Sequence, residues 1–117
     1  MTPQELHQIA MNHVGKILEK KGFEFIAINS QLKKHPQFVC VDKKNILHFV
    51  LVKHALYPDN PNDFDIIWME TFKSHAMKKN AKVKFAGVGI AHANDLEKPV
   101  TKHEDYAIYF EDFEDIL

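Results

Sequence analysis

The chain has 117 residues, enough for one domain built on one hydrophobic core. It is 45% hydrophobic and 26% charged, with a formal net charge of -1. That balance excludes a disordered chain and any overall field drawing it to nucleic acid or an anionic membrane.

The first ten residues, MTPQELHQIA, have neither the basic start nor the apolar run of a signal peptide. No apolar stretch reaches the roughly 20 residues needed to cross a bilayer, so the expected location is cytoplasmic, away from membranes. Thr2, Pro3 and Glu5 supply an N-cap, a first-turn proline and the acidic half of a capping box. Leu6, Ile9, Ala10, His13, Val14, Ile17 and Leu18 then recur at helical spacing, and Gly22 marks the stop. The first helix is thus expected to lay one apolar face on a sheet.

Phe23 to Asn29 reads as a strand, Ser30 to Pro36 as a turn, and Gln37 to Val41 as a second strand. Asp42 to Asn45 has the composition of a hairpin turn, which pairs the second strand antiparallel with a third, Ile46 to Leu56. Phe49 to Val52 is apolar on both faces and predicts a central position. Cys40, the only cysteine, excludes an intramolecular disulfide and is expected to be buried and inert.

Tyr57 to Asp65 is a loop whose Asp63 or Asp65 can cap a second helix. Phe64, Ile67, Trp68, Thr71, Phe72, His75 and Ala76 are the expected inward stripe, with Asn80 as the stop. Lys82 to Ala93 is a fourth strand, Tyr106 to Phe110 a fifth, and the acidic-apolar tail a last amphipathic turn that tucks in Phe113 and Ile116. The tail can also be read as a docking segment. The order α-β-β-β-α-β-β predicts an α/β (α+β) single domain over residues 1–117, a mixed sheet flanked by helices.

That order resembles the core of the restriction-endonuclease-like, or PD-(D/E)XK, nucleases. A small bacterial branch of them has a helix ending Leu-x-x-x-Gly, a strand ending in Asn, then EIDLIA, a hairpin and FVEVK. Leu18-Glu19-Lys20-Lys21-Gly22, Gly22 to Asn29, and Phe49-Val50-Leu51-Val52-Lys53 are similar to these parts, over about a third of the chain. The resemblance implies a remnant site at Phe38, Leu51 and Lys53, where the family has Asp, Glu and Lys. Phe38 and Leu51 offer no oxygen to a hard cation, so metal-dependent nuclease activity is not expected. A slip of one residue brings Gln37, Val39, Val50 or Val52 and no carboxylate either.

Ser30 to Val39 (SQLKKHPQFV) also resembles a family of small bacterial proteins without established function. Some of these are labelled as the flavin-carrying component of a sodium-translocating NADH-quinone reductase. That component needs four cysteines for its iron-sulfur cluster, a membrane anchor and a flavin domain, none of which this sequence supplies.

Eight histidines raise the question of a metal. His48 and His54 share one face of the third strand, and His75 is placed where it could approach them, but the spacings match no zinc motif and no metal or other cofactor is expected. Gly87-Val88-Gly89 lacks the third glycine and the following helix of a dinucleotide loop, and is expected to mark a bulge or a close approach of Trp68 or Phe72. Lys33 and Lys34, beside His35, are the candidate contacts to nucleic acid.

Three functions follow as expectations. The first is a non-catalytic protein-interaction or scaffold domain with a degenerate nuclease-like core, binding a protein partner or a second copy to form a homodimer. The second is nucleic-acid binding without cleavage through Lys33, Lys34 and Lys53. The third is an enzyme with its site relocated around Lys53, together with His48, His54 or Glu24.

Overall fold

The computed structural model describes residues 1–117. Helix α1 spans Pro3–Lys20, opened by the complete Thr2–Glu5 capping box; Gly22, at φ +90°, follows its C-cap. Strands β1 (Glu24–Ile28), β2 (Phe38–Val41) and β3 (Leu47–Leu56) form an antiparallel meander. In the β2–β3 turn, Asn45 takes φ +65° and the Asp42 carboxylate accepts the N–H groups of Lys44 and Ile46. Helix α2 spans Ile66–Lys78 with Asp65 as its N-cap, and Asn80, at φ +55°, turns the chain out of it.

The crossover through α2 brings β4 (Lys82–His92) parallel to β3, from His48 beside Lys82 to Leu56 beside Ile90. β5 (Tyr106–Tyr109) then pairs antiparallel with the second half of β4. The tail adds β6 (Glu114–Asp115), antiparallel to Lys84 and Phe85. The result is a six-stranded mixed sheet in the order β1-β2-β3-β4-β5, with β6 on the edge it shares with β5.

Each face of the sheet carries one helix and one core. Ala10, Met11, Val14 and Leu18 of α1 pack on Phe38, Cys40, Val50, Val52, Ala86 and Val88. Met69, Phe72 and Ala76 of α2 pack on Phe49, Leu51, Val83 and Phe85 on the other side. Fully burying a side chain the size of Leu18 contributes about 1.5–3 kcal/mol, so β3 and β4, covered on both faces, hold the structure. No helix is long and apolar enough to cross a membrane.

Three details differ from the sequence-based expectation. The inward stripe of α2 is Met69, Phe72 and Ala76; Ile67 and Thr71 are on its exposed side, while Trp68 and His75 border the stripe, stacked on Phe72 and Phe49 with part of each ring exposed. Spacing of i, i+3 and i+7 from Met69 decides the buried face, and Ile67 is off it despite its hydrophobicity. The tail is extended rather than helical, because β4 offers it an open edge. Alternation along it sends Phe113 to the α1 core and Ile116 to the α2 core. Finally, the backbone that approaches Gly87 is not Trp68 or Phe72 but the Pro61–Asn62 stretch of the loop, whose carbonyl occupies the place of a Cβ.

Candidate functional site

Strand alternation sorts the residues singled out by the nuclease resemblance. Leu51 is buried against α2, and Lys53, two residues on, projects from the same face. Phe38 packs in the α1 core on the opposite face. The sheet therefore separates Phe38 from Leu51 and Lys53, and the three do not form one site. A one-residue offset along a strand exchanges its faces, and the neighbour that shares the Leu51–Lys53 side is Gln37.

Gln37 stands just before β2, where that strand ends and β3 runs on without it. Its buried amide organises the gap. Oε1 accepts the Val52 backbone N–H at 2.8 Å, and Nε2 donates to the Lys34 carbonyl at 3.1 Å while lying 2.8 Å from His35 Nδ1. Beside it opens a cleft of about 320 Å³ at the carboxyl end of β3. His7 of α1, His35 and Lys33 of the loop, Lys53 and His54 of β3, and Trp68 of α2 contribute to its walls, with Leu51, Phe64 and Phe85 as an apolar floor.

The lining is mostly cationic or neutral. Asp65 is its one carboxylate, and that group accepts the Trp68 N–H as the helix cap. Lys53 Nζ donates to the Asp63 carbonyl at 2.5 Å. His35 stands edge-on to Trp68 at 4.8 Å, and His7 and His54 have ring centroids 6.1 Å apart. His7 is 1% exposed, and neither of its ring nitrogens has a hydrogen-bond partner. Burial, then the neighbouring His54 and His35, lowers its pKa below the usual histidine value; burial and Lys53 do the same for His54. Both rings therefore favour the neutral form.

Residues 4–116 match a family model described as a domain of unknown function, DUF8840. The chain belongs to that family. No curated protein and no solved structure matches it.

The remaining candidates of this DUF8840 domain are dispersed. His48, on the α1 face, lies 2.9 Å from Asp42 at the hairpin and edge-on to Phe23. Six residues of strand, about 20 Å, separate it from His54. His75 stacks on Phe49 on the α2 face, opposite His48, so the three histidines do not converge, and no group of three or more His, Cys, Asp or Glu is arranged to hold a metal ion. Glu24 is exposed on the β1 edge, and Lys34 supplies its carbonyl to Gln37 while its side chain stays outside the cleft. Of the group proposed around Lys53, only His54 stands beside it. Cys40 is buried, and its thiol is pushed up to about 11 by desolvation.

A larger hollow of about 640 Å³ lies at the other end of β3, between Leu47, Met77 and Leu117. None of its polar lining residues is buried. The smaller cleft is the one where buried polar groups converge, as binding sites require. The expected stripe of α1 omits His7, and Gln37 enters the sequence reading only as a slip position without a carboxylate. His7 had a signal, since positions 7, 10, 11, 14 and 18 follow helical spacing more closely than the stripe built on Ile9 and Ile17.

Proposed function

We propose that this domain is a non-catalytic interaction module, a restriction-endonuclease-like core whose cleft beside β3 receives a segment of a partner protein. The observation that supports this reading most is the exposed first turn of α2. Ile66 and Ile67 are 72% and 81% exposed and adjoin Trp68 in the wall of the cleft. An apolar rim beside a pocket with a few buried polar groups is how a short anchor segment is held. The resemblance puts the nuclease acids at Phe38 and Leu51, or at Gln37 after a slip of one residue, and none of these side chains chelates Mg²⁺. We place the module in the cytoplasm, where its one buried thiol stays reduced.

Site-specific photo-crosslinking tests the reading. A crosslinker at Ile67 should capture one defined partner, or a second copy recognised by its mass. The same crosslinker at exposed Lys43 should not. Equal capture from both positions, or none from Ile67, overturns it.

Lys33 and Lys53 meet Trp68 around the same cleft, which favours nucleic-acid binding without cleavage as the second reading. Salt-dependent retention on single-stranded DNA, lost in Lys53→Met and Lys33→Met, supports it; no retention at low salt removes it.

A further inference from the structure

The cleft holds a polar group that the domain itself leaves unused. His7 is buried in its wall with both ring nitrogens free of partners. A buried polar group without a partner is unfavourable, and a ligand atom of the right kind would relieve it. His54 faces it at a 6.1 Å centroid distance, close enough for one bound group to accept a hydrogen bond from each ring. From the loop, Lys33 and His35 face the same space; from β3, Lys53; from α2, only Asp65, whose carboxylate is engaged at the helix cap. Asp65 keeps its charge, and the other charged side chains around the two imidazoles, Lys33 and Lys53, are positive.

We propose that the cleft recognises an oxyanion of its ligand, a carboxylate or phosphate, through the paired imidazoles of His7 and His54 in the field of Lys53 and Lys33. This rests on the cleft being the binding site of the module. A negative group between the rings favours their charged forms, so binding takes up a proton. The sign is fixed: occupancy strengthens as pH falls and weakens as it rises above the histidine range. The apolar floor and Trp68 would carry the part of the ligand next to the oxyanion.

Histidine C2–H resonances and the emission of Trp68, the only tryptophan, read the site directly. The full chain is titrated with sodium phosphate and with sodium acetate, against sodium chloride at matched ionic strength. The signals of His7 and His54 should move with an oxyanion and not with chloride, and their pKa values should rise by about one unit. A stronger response to phosphate assigns a phosphoryl ligand, and a stronger response to acetate a carboxylate. His7→Phe should weaken the response about tenfold, a factor of the size carried by one charge-assisted hydrogen bond. Lys53→Met, at an exposed position, should weaken it as well and guards against a folding defect in the first variant. Equal shifts in chloride overturn the proposal. So does a response to stoichiometric Zn²⁺ without one to either oxyanion, which would make the pair a metal site. The two readings fail separately: an oxyanion response in a chain whose Ile67 crosslinker captures nothing keeps the oxyanion site and removes the partner reading, and capture without a response does the reverse.

Discussion

The side chain of Gln37 holds the backbone of Val52: its Oε1 accepts the Val52 N–H at 2.8 Å, where β2 no longer reaches β3. The same amide fastens the loop through the Lys34 carbonyl. Gln37→Leu keeps the volume and leaves the buried N–H without an acceptor, at a cost of about 1–3 kcal/mol in urea unfolding. Trp68 emission should change too, because His35, which contacts both Gln37 and Trp68, loses its anchor. Unchanged stability in this variant would mean that the amide does not bridge the gap.

Gly87 and Gly89 sit on the same face of β4 and differ in what lies above them. A Cβ at Gly87 would collide with the Pro61 carbonyl and Asn62 Oδ1, whereas at Gly89 the nearest atoms, in Pro61 and Tyr109, are 3.5 Å away. Gly87→Ala should therefore push the loop off the sheet and destabilise the domain by about 1–3 kcal/mol. Gly89→Ala should be close to neutral. Thermal melts of the two variants side by side check the contrast, and equal losses would count against this packing of the loop.

Acid should weaken the fold through its buried imidazoles. Burial is the first cause of lowered pKa values at His7, His13 and His54, with Lys16 adding to it at His13. The unfolded chain then binds protons more readily, so stability is full above the ordinary value of 6.5 and falls as pH drops through the window below it. His7→Phe should flatten that slope, gaining more stability relative to the native sequence at pH 5 than at pH 8. Denaturant midpoints across the range test this. An identical slope in the variant would show that His7 is not among the groups taking up protons.

Much of the fold was legible from local chemistry. The Thr2–Glu5 box, Gly22, the Asp42–Asn45 turn and the apolar run Phe49–Val52 each acted through near neighbours, and each lies where its spacing put it. Lys53 and Leu51 were correctly placed side by side on one strand. Phe38 was not their partner, because cross-sheet position depends on pairing register, and β2–β3 pairing puts Phe38 opposite Val50. The cleft itself was hidden for a different reason. It exists because β2 is shorter than β3, and its members come from α1, a loop, β3 and α2. No sequence window contains His7, Gln37 and His54 together. β6 was missed because two residues carry too little pattern to mark a strand.

His92 ties down the loop that leads from β4 to β5. Its Nδ1 accepts the backbone N–H groups of Asn94 at 3.1 Å and Asp95 at 3.0 Å, so the ring proton sits on Nε2, which donates to Glu104 at 2.5 Å. That bond to His92 is the main reason the Glu104 carboxyl titrates below its usual range. His92→Leu removes all three contacts and should raise amide exchange at Asn94 and Asp95 about tenfold, the ratio expected for one lost hydrogen bond. Glu104→Gln keeps an oxygen in reach of Nε2 and leaves Nδ1 free to accept, so it should change exchange little. If the two variants exchanged equally fast, Glu104 rather than the Nδ1 pair would be what holds the loop.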